Sequence, residues 1–200
     1  SSTSQSINAD ADATIMQSLS VNSPSLWNPD APNLYVVRSQ VSDGSQVVDE
    51  QNTTIGIRTI KFDRTGFQIN GKKVYLHGAN RHPDSPYIGN AVTNSGQYRD
   101  ALRIKEAGFN FVRMSHYVQS IAFVEACDRL GIVVMDEAYD MWKSPKVRNG
   151  SSKFWDQWGE TDLRDFIRRD RNHPSVIMWS IGNEIPEQGR PEGGPMAKRL

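Results

Sequence analysis

Two regimes of hydrophobic patterning divide the chain. From Ala13 to about Ile60, short alternating segments lie between turn signals. Leu34–Val41 alternates as a strand, and Asp43-Gly44 predicts a hairpin, because the tight turn between paired strands needs residues that accept positive φ. Val47–Glu50 and Ile55–Arg58 continue the β pattern, and Asn28-Pro29-Asp30-Ala31-Pro32 marks a corner. No helical period appears in this part. The pattern predicts a partial β-sandwich over residues 1–60, since a whole one takes roughly 100 residues.

Turns at Asp63–Gly66 and Asn70-Gly71 lead into residues 61–200, where apolar strands alternate with amphipathic helices. The predicted strands are Val74–Asn80, Phe109–Arg113, Ile132–Met135 and Val176–Ile181. The first helix puts Tyr98, Ala101, Leu102 and the Lys105 stem on one face and stops at Gly108. The second carries Phe123, Val124, Cys127 and Leu130 and ends at Gly131. The third carries Trp155, Trp158, Leu163, Phe166 and Ile167 and ends before Asn172-His173-Pro174, where proline excludes helix from the residue before it. Strongly apolar strands alternating with helices imply a parallel sheet buried on both faces. An eightfold barrel takes roughly 250 residues. This stretch holds only four strand–helix units, the last without a clear helix, so it predicts the first half of a (β/α)8 barrel. A half-barrel leaves parallel edges exposed, and the chain is therefore expected to be a piece of a longer one.

Composition narrows the function classes. Among 200 residues, 23 basic side chains balance 23 acidic ones for a net charge of zero, which gives no electrostatic ground for binding nucleic acid or an anionic membrane. The Arg168-Arg169-Asp170-Arg171 run is broken by an acid and closes a helical pattern, as a solvated helix end does. No apolar run approaches the roughly 18 residues of a membrane span. Cys127 is the single cysteine, which excludes an intrachain disulfide and a cysteine metal site; it falls on the apolar side of a helix. Ser1–Asp12 is polar and shows no signal pattern, so the compartment stays open, periplasm and exterior included.

Working residues of such barrels lie at the carboxyl ends of the strands. Here those ends deliver Asn80, Arg81 and His82; Arg113, Ser115, His116 and Tyr117; Asp136, Glu137, Tyr139 and Asp140; and Asn183 and Glu184. Glu184 is the sharpest candidate. It follows an apolar run with Gly182 to turn the backbone and Asn183 as a neutral donor, and apolar surroundings would raise its pKa toward that of a general acid. The alternative is a capping or salt-bridging glutamate. His82 and His116, with Asp136 nearby, admit a metal-site reading, but His77 and His82 lie five apart rather than the close pair that barrel metallohydrolases take from the first strand. Donors to sugar hydroxyls are the preferred reading. His173 reads as structural, Trp155 and Trp158 as packing, Trp27 as core of the sandwich, and Trp142, in the loop after the third strand, as a sugar platform.

The run from Asp170-Arg171-Asn172-His173-Pro174 to Ile181-Gly182-Asn183-Glu184 resembles the acid/base signature of glycoside hydrolase family 2. The stretch from Asn110 through Arg113, Ser115-His116-Tyr117 and Asp128 to Met135 is similar to that family's other signature, and Leu26-Trp27-Asn28-Pro29 through Gly56-Ile57-Arg58 resembles its immunoglobulin-like domain. The resemblance covers nearly all residues beyond about 20. It implies a retaining β-glycosidase on a (β/α)8 barrel, with Glu184 as acid/base on the fourth strand and a glutamate nucleophile on the seventh, beyond Leu200. It further implies that Asn183 bonds the sugar 2-hydroxyl, that Arg113 helps hold the nucleophile ionised, and that His82 and His116 line the sugar subsite. Asp136, with Glu137 and Ala138, matches the end of the third strand, so Asp136 and Trp142 complete the expected substrate-binding set.

The chain departs from the family pattern at Met114, a position usually small, and at Val118, commonly proline. Where some β-galactosidases of the family hold magnesium through a carboxylate and a histidine, it has Met141 and Lys143, so no metal and no cofactor are expected. Within the family, Asn80-Arg81-His82 and Asp136–Trp142 look most like the β-galactosidase branch; β-glucuronidase, β-mannosidase or a non-catalytic sugar-binding protein are the alternatives. The expected partner is an oligosaccharide or β-glycoside, and a homo-oligomer of the full-length enzyme stays open.

Overall fold

The computed structural model describes residues 2–200. Its first part is antiparallel. Strands β1 (Trp27–Asn28) and β2 (Ala31–Pro32) form a short pair, and β3 (Tyr35–Asp43) and β4 (Gln46–Ile55) form a long hairpin. The hairpin turns at Gly44, whose φ of 60° is the left-handed geometry that Asp-Gly turns use. Strands β5 (Ile60–Asp63), β6 (Gly66–Ile69) and β7 (Lys72–Lys73) make a second antiparallel sheet, so the turns at Asp63–Gly66 and Asn70-Gly71 join strands of their own.

The second part is a four-stranded parallel sheet in chain order: β8 (Gly78–Arg81), β9 (Phe111–Met114), β10 (Val133–Glu137) and β11 (Val176–Ser180). Helices α1 (Asn94–Glu106), α2 (Ile121–Leu130) and α3 (Trp155–Asp170) alternate with them. Thr93 caps α1 by accepting from the Gly96 amide at 3.2 Å. Gly131 closes α2 at φ 68°, where a Cβ would sit 2.3 Å from the Pro29 carbonyl oxygen, so only glycine fits. Ala101, Phe123, Val124, Cys127, Val112 and Val134 fill the space between helices and sheet. Burial pushes the Cys127 thiol well above its ordinary value, as expected of a small core residue.

Three elements differ from expectation. The first strand begins at Gly78, because the Asn110 side chain takes over the backbone of the preceding residues: it accepts from the His77 amide and donates to the Tyr75 carbonyl, both at 2.8 Å. A further helix, α4 (Gly193–Arg199), follows β11 although Gly193-Gly194-Pro195 masks any helical pattern. Trp27 is fully buried, but its core is shared with the barrel: it packs with Phe67, Ile69, Val133 and Ile177, and its indole N–H donates to the Asp128 carbonyl at 2.8 Å. Arg58 donates to the Pro174 and Val176 carbonyls, and Lys105 to those of Pro29 and Gly131, which seats the antiparallel part under the amino ends of the parallel strands. Asp128 accepts from the Ser175 amide and pairs with His173 Nδ1. Burial would lower the His173 pKa, but the bond to Asp128 outweighs it and holds the pKa up. This histidine sits far along the fold from the carboxyl ends, on the underside.

Candidate active site

The carboxyl ends of β9, β10 and β11 converge on one carboxylate, Glu137. It is fully buried. Arg113 donates to it through Nε at 3.1 Å and Nη2 at 2.7 Å, His116 Nδ1 lies 2.7 Å away, and the Ser180 hydroxyl donates at 2.6 Å. Register explains the convergence: Glu137 lies opposite Ser180, while Arg113 lies opposite Met135, two residues earlier on the face that Glu137 shares. A buried carboxylate needs partners of this kind. With Nδ1 of His116 donating to Glu137, its Nε2 is the atom left to meet a ligand. The exposed His82 ring stands edge-on to His116, with centroids 5.0 Å apart.

A second chain of contacts leads from this carboxylate to Glu184. Arg113 Nη2 also donates to Asn183 Oδ1 at 2.9 Å, and Asn183 Nδ2 donates to Asp140 at 3.0 Å. Lys146 Nζ donates to the same Asp140 oxygen at 2.9 Å and to the Asn183 carbonyl at 2.7 Å. Burial would push the Asp140 pKa up, but the bonds from Asn183 and Lys146 and the charges of Lys146 and His116 hold it below the usual carboxylate range. Glu184 comes next, exposed, at φ 45°. A non-glycine residue there costs on the order of 1–2 kcal/mol, so the turn must be held from outside. The Asn183 amide donates to the Tyr139 carbonyl at 2.8 Å, and a Cβ on Gly182 would lie 2.4 Å from the Ile185 side chain, which would have to shift to admit it.

The structure thus brings Arg113, His116, His82, Asn183 and Glu184 to one end of the sheet. It corrects two members of the expected set. Asp136 is fully buried and faces the opposite side from Glu137, because neighbouring residues of a strand point to opposite faces. It lies in the helix layer, where burial and the charge of Asp170 push its carboxyl up to about 8. Trp142 is only 4% exposed, stacked on Trp155 with its N–H donating to the Ile181 carbonyl at 2.7 Å, so it offers no face to a sugar. The apolar wall expected beside Glu184 is likewise not formed by the described residues, since its side chain is exposed. Arg81 turns into the helix layer, bonding Gln97, Gln119 and Asp100 over the Phe123 ring.

Two side chains of this cluster escaped the sequence. Ser180 is in register with Glu137, a signal that needs the strand pairing in hand. Lys146 lies in an irregular loop with no periodicity to mark it.

Comparison with known proteins agrees along nearly the whole chain. Residues 60–192 match the profile described as glycosyl hydrolases family 2, TIM barrel domain, and residues 1–58 match glycosyl hydrolases family 2. The Beta-galactosidase BoGH2A of Bacteroides ovatus is 41% identical over 181 residues, 90% of this chain and 21% of that protein. A putative beta-glucuronidase of Formosa agariphila is 38% identical over 183 residues, 91% of this chain and 18% of that protein. The crystal structure of a glycosyl hydrolase family 2 member from Bacteroides cellulosilyticus superposes with a TM-score of 0.85 at 42% identity, over 88% of this chain and 23% of that one. The chain spans about a fifth of the length of the curated relatives it matches (21% and 18%).

Proposed function

Because the chain belongs to glycoside hydrolase family 2, we propose that it carries the acid/base side of a retaining β-glycosidase acting on terminal β-linked sugars, β-galactosides first. The observation that supports this most is the chain of contacts Glu137–Arg113–Asn183, which ends at a glutamate exposed on a constrained turn at the carboxyl end of the sheet. In this reading the protonated Glu184 gives its proton to the glycosidic oxygen as the bond from that oxygen to the anomeric carbon breaks. A second carboxylate, from a part of the full-length enzyme beyond Leu200 and roughly 5–5.5 Å from the Glu184 carboxyl, forms the ester bond to the anomeric carbon. Glu184, now ionised, takes a proton from water as that water attacks the anomeric carbon and the ester bond breaks.

Asn183 spends one Nδ2 hydrogen on Asp140 and keeps the other for the sugar 2-hydroxyl, a bond that strengthens as positive charge develops on the ring. Arg113 uses Nε and Nη2 on Glu137 and Asn183 and keeps Nη1 for the incoming carboxylate of the nucleophile. His116 and His82 supply donors or acceptors to sugar hydroxyls. A neutral sugar suits this charge distribution: the cations of the cluster, Arg113 and Lys146, are already paired with Glu137 and Asp140. An anionic glucuronide would need a further cation.

The test is hydrolysis of a panel of aryl β-glycosides (galactoside, glucuronide, mannoside, glucoside) by the longest natural chain that carries this sequence, with and without chelator. Preference for the galactoside, untouched by chelator, is the expected result. Preference for the glucuronide would overturn the sugar assignment, and no turnover of any member would favour a sugar-binding protein on this fold.

A further inference from the structure

Two lysines of the loop between β10 and α3, Lys143 and Lys146, have different surroundings. Lys143 pairs with Asp156 on the surface, where the two side chains are 61% and 73% exposed. Lys146 turns inward and is 21% exposed. Its ammonium reaches the Asn183 carbonyl at 2.7 Å and Asp140 at 2.9 Å, and Asp140 in turn accepts from the Asn183 side chain at 3.0 Å. One ammonium and one carboxylate therefore grip both the main chain and the side chain of Asn183.

That grip has a geometric consequence for the next residue. The Asn183 carbonyl belongs to the peptide plane that carries the Glu184 amide, so fixing this oxygen fixes the plane about which Glu184 takes φ 45°. A residue with a Cβ leaves the left-handed region readily unless its surroundings determine it. The other ties on this turn, from the Asn183 amide to Tyr139 and from the Ser144 amide to Glu187, leave that carbonyl untouched. A bond from a charged donor is stronger than a neutral one and is well suited to hold a strained plane.

We propose that Lys146 is a positioning residue: through the Asn183 carbonyl and Asp140 it sets the Asn183–Glu184 turn and so the aim of the Glu184 carboxyl. This rests on the assignment of Glu184 as acid/base. In a positioned proton transfer, a displacement of about 1 Å costs on the order of 100-fold, and the loss falls on substrates whose leaving group needs the proton.

The experiment uses the longest natural chain carrying this sequence and aryl and alkyl β-glycosides of the preferred sugar, graded by leaving-group acidity. Lys146→Met is expected to lower kcat/KM on poor leaving groups by roughly 10- to 100-fold, with a much smaller loss in kcat/KM on dinitrophenyl glycosides, whose leaving group needs no proton. Lys146→Arg, which keeps a cationic donor, should recover most of the loss, and Lys143→Met should behave as wild type. In a Glu184→Gln background the Lys146→Met loss should shrink to less than about threefold, since the two residues act through one another. An equal loss in both backgrounds, or a loss uniform across leaving groups, would overturn the proposal.

Hydrogen exchange at the Asn183 amide, which donates to the Tyr139 carbonyl in the same turn, separates this proposal from the acid/base assignment itself. Faster exchange in Lys146→Met than in Lys146→Arg supports positioning even if Glu184→Gln proves fully active. Unchanged exchange refutes it whatever the hydrolysis shows.

Discussion

Replacing Asp136 by asparagine should stabilise the protein more and more as pH rises while leaving catalysis within a few-fold of wild type. Both carboxyl oxygens of Asp136 are buried and have no hydrogen-bond partner. Burial, followed by the charge of Asp170, pushes its pKa up to about 8, against about 3.9 in an unfolded chain. Between those two values the folded protein holds a proton that the unfolded chain has released, so folding must take one up and stability falls as pH rises. The penalty is absent below about pH 4, grows by at most roughly 1.4 kcal/mol per pH unit as pH rises, and levels off above about pH 8. Asparagine mimics the neutral acid in shape and carries no such linkage. The assay is the difference in Tm between wild type and variant from pH 4 to pH 8, with kcat/KM measured alongside. The difference should be near zero at pH 4 and favour the variant by several degrees at pH 7. A flat difference across pH would refute the buried, neutral carboxyl. A loss of 100-fold or more in kcat/KM at unchanged stability would put Asp136 back among the residues that touch substrate.

Other perturbations test the neighbouring contacts. Arg113→Met leaves Glu137 buried without its guanidinium partner, which should cost about 3–5 kcal/mol and, with Asn183 released as well, depress kcat strongly; a variant with wild-type Tm and kcat would contradict the network. Trp142→Phe removes the bond to the Ile181 carbonyl and part of the stack on Trp155, which should cost on the order of 1 kcal/mol with KM unchanged; a large rise in KM at constant Tm would restore the sugar-platform role.

The four parallel strands, the three helices that alternate with them and their order were legible, because an apolar run between glycine and proline stops has few alternatives; β5–β7 and α4 were not. Strand phase was less accessible. Asp136 and Glu137 are adjacent carboxylates at the end of an apolar strand, and with both faces of β10 buried the alternation gives no clue to which one faces the mouth. Only the register against Arg113 and Ser180 decides it. Trp142 lies in a loop whose path is fixed by distant partners, Trp155 and Ile185, and local sequence cannot report that it is folded inward. Lys146 is invisible for the same reason, since its role depends on a carbonyl 37 residues away. The place of Asn183 and Glu184 at the carboxyl end of β11 was legible because the turn there combines Gly182, an amide and a carboxylate directly after an apolar strand.

The central claim, that Glu184 is the acid/base, is tested most directly by Glu184→Gln in the longest natural chain, assayed on alkyl and dinitrophenyl β-glycosides with and without azide. The variant should keep the wild-type Tm and lose on the order of 100- to 10,000-fold in kcat on the alkyl glycoside. Azide, which needs no general base, should restore turnover of the dinitrophenyl glycoside and yield the β-glycosyl azide. Wild-type turnover of the alkyl glycoside by this variant would contradict the assignment.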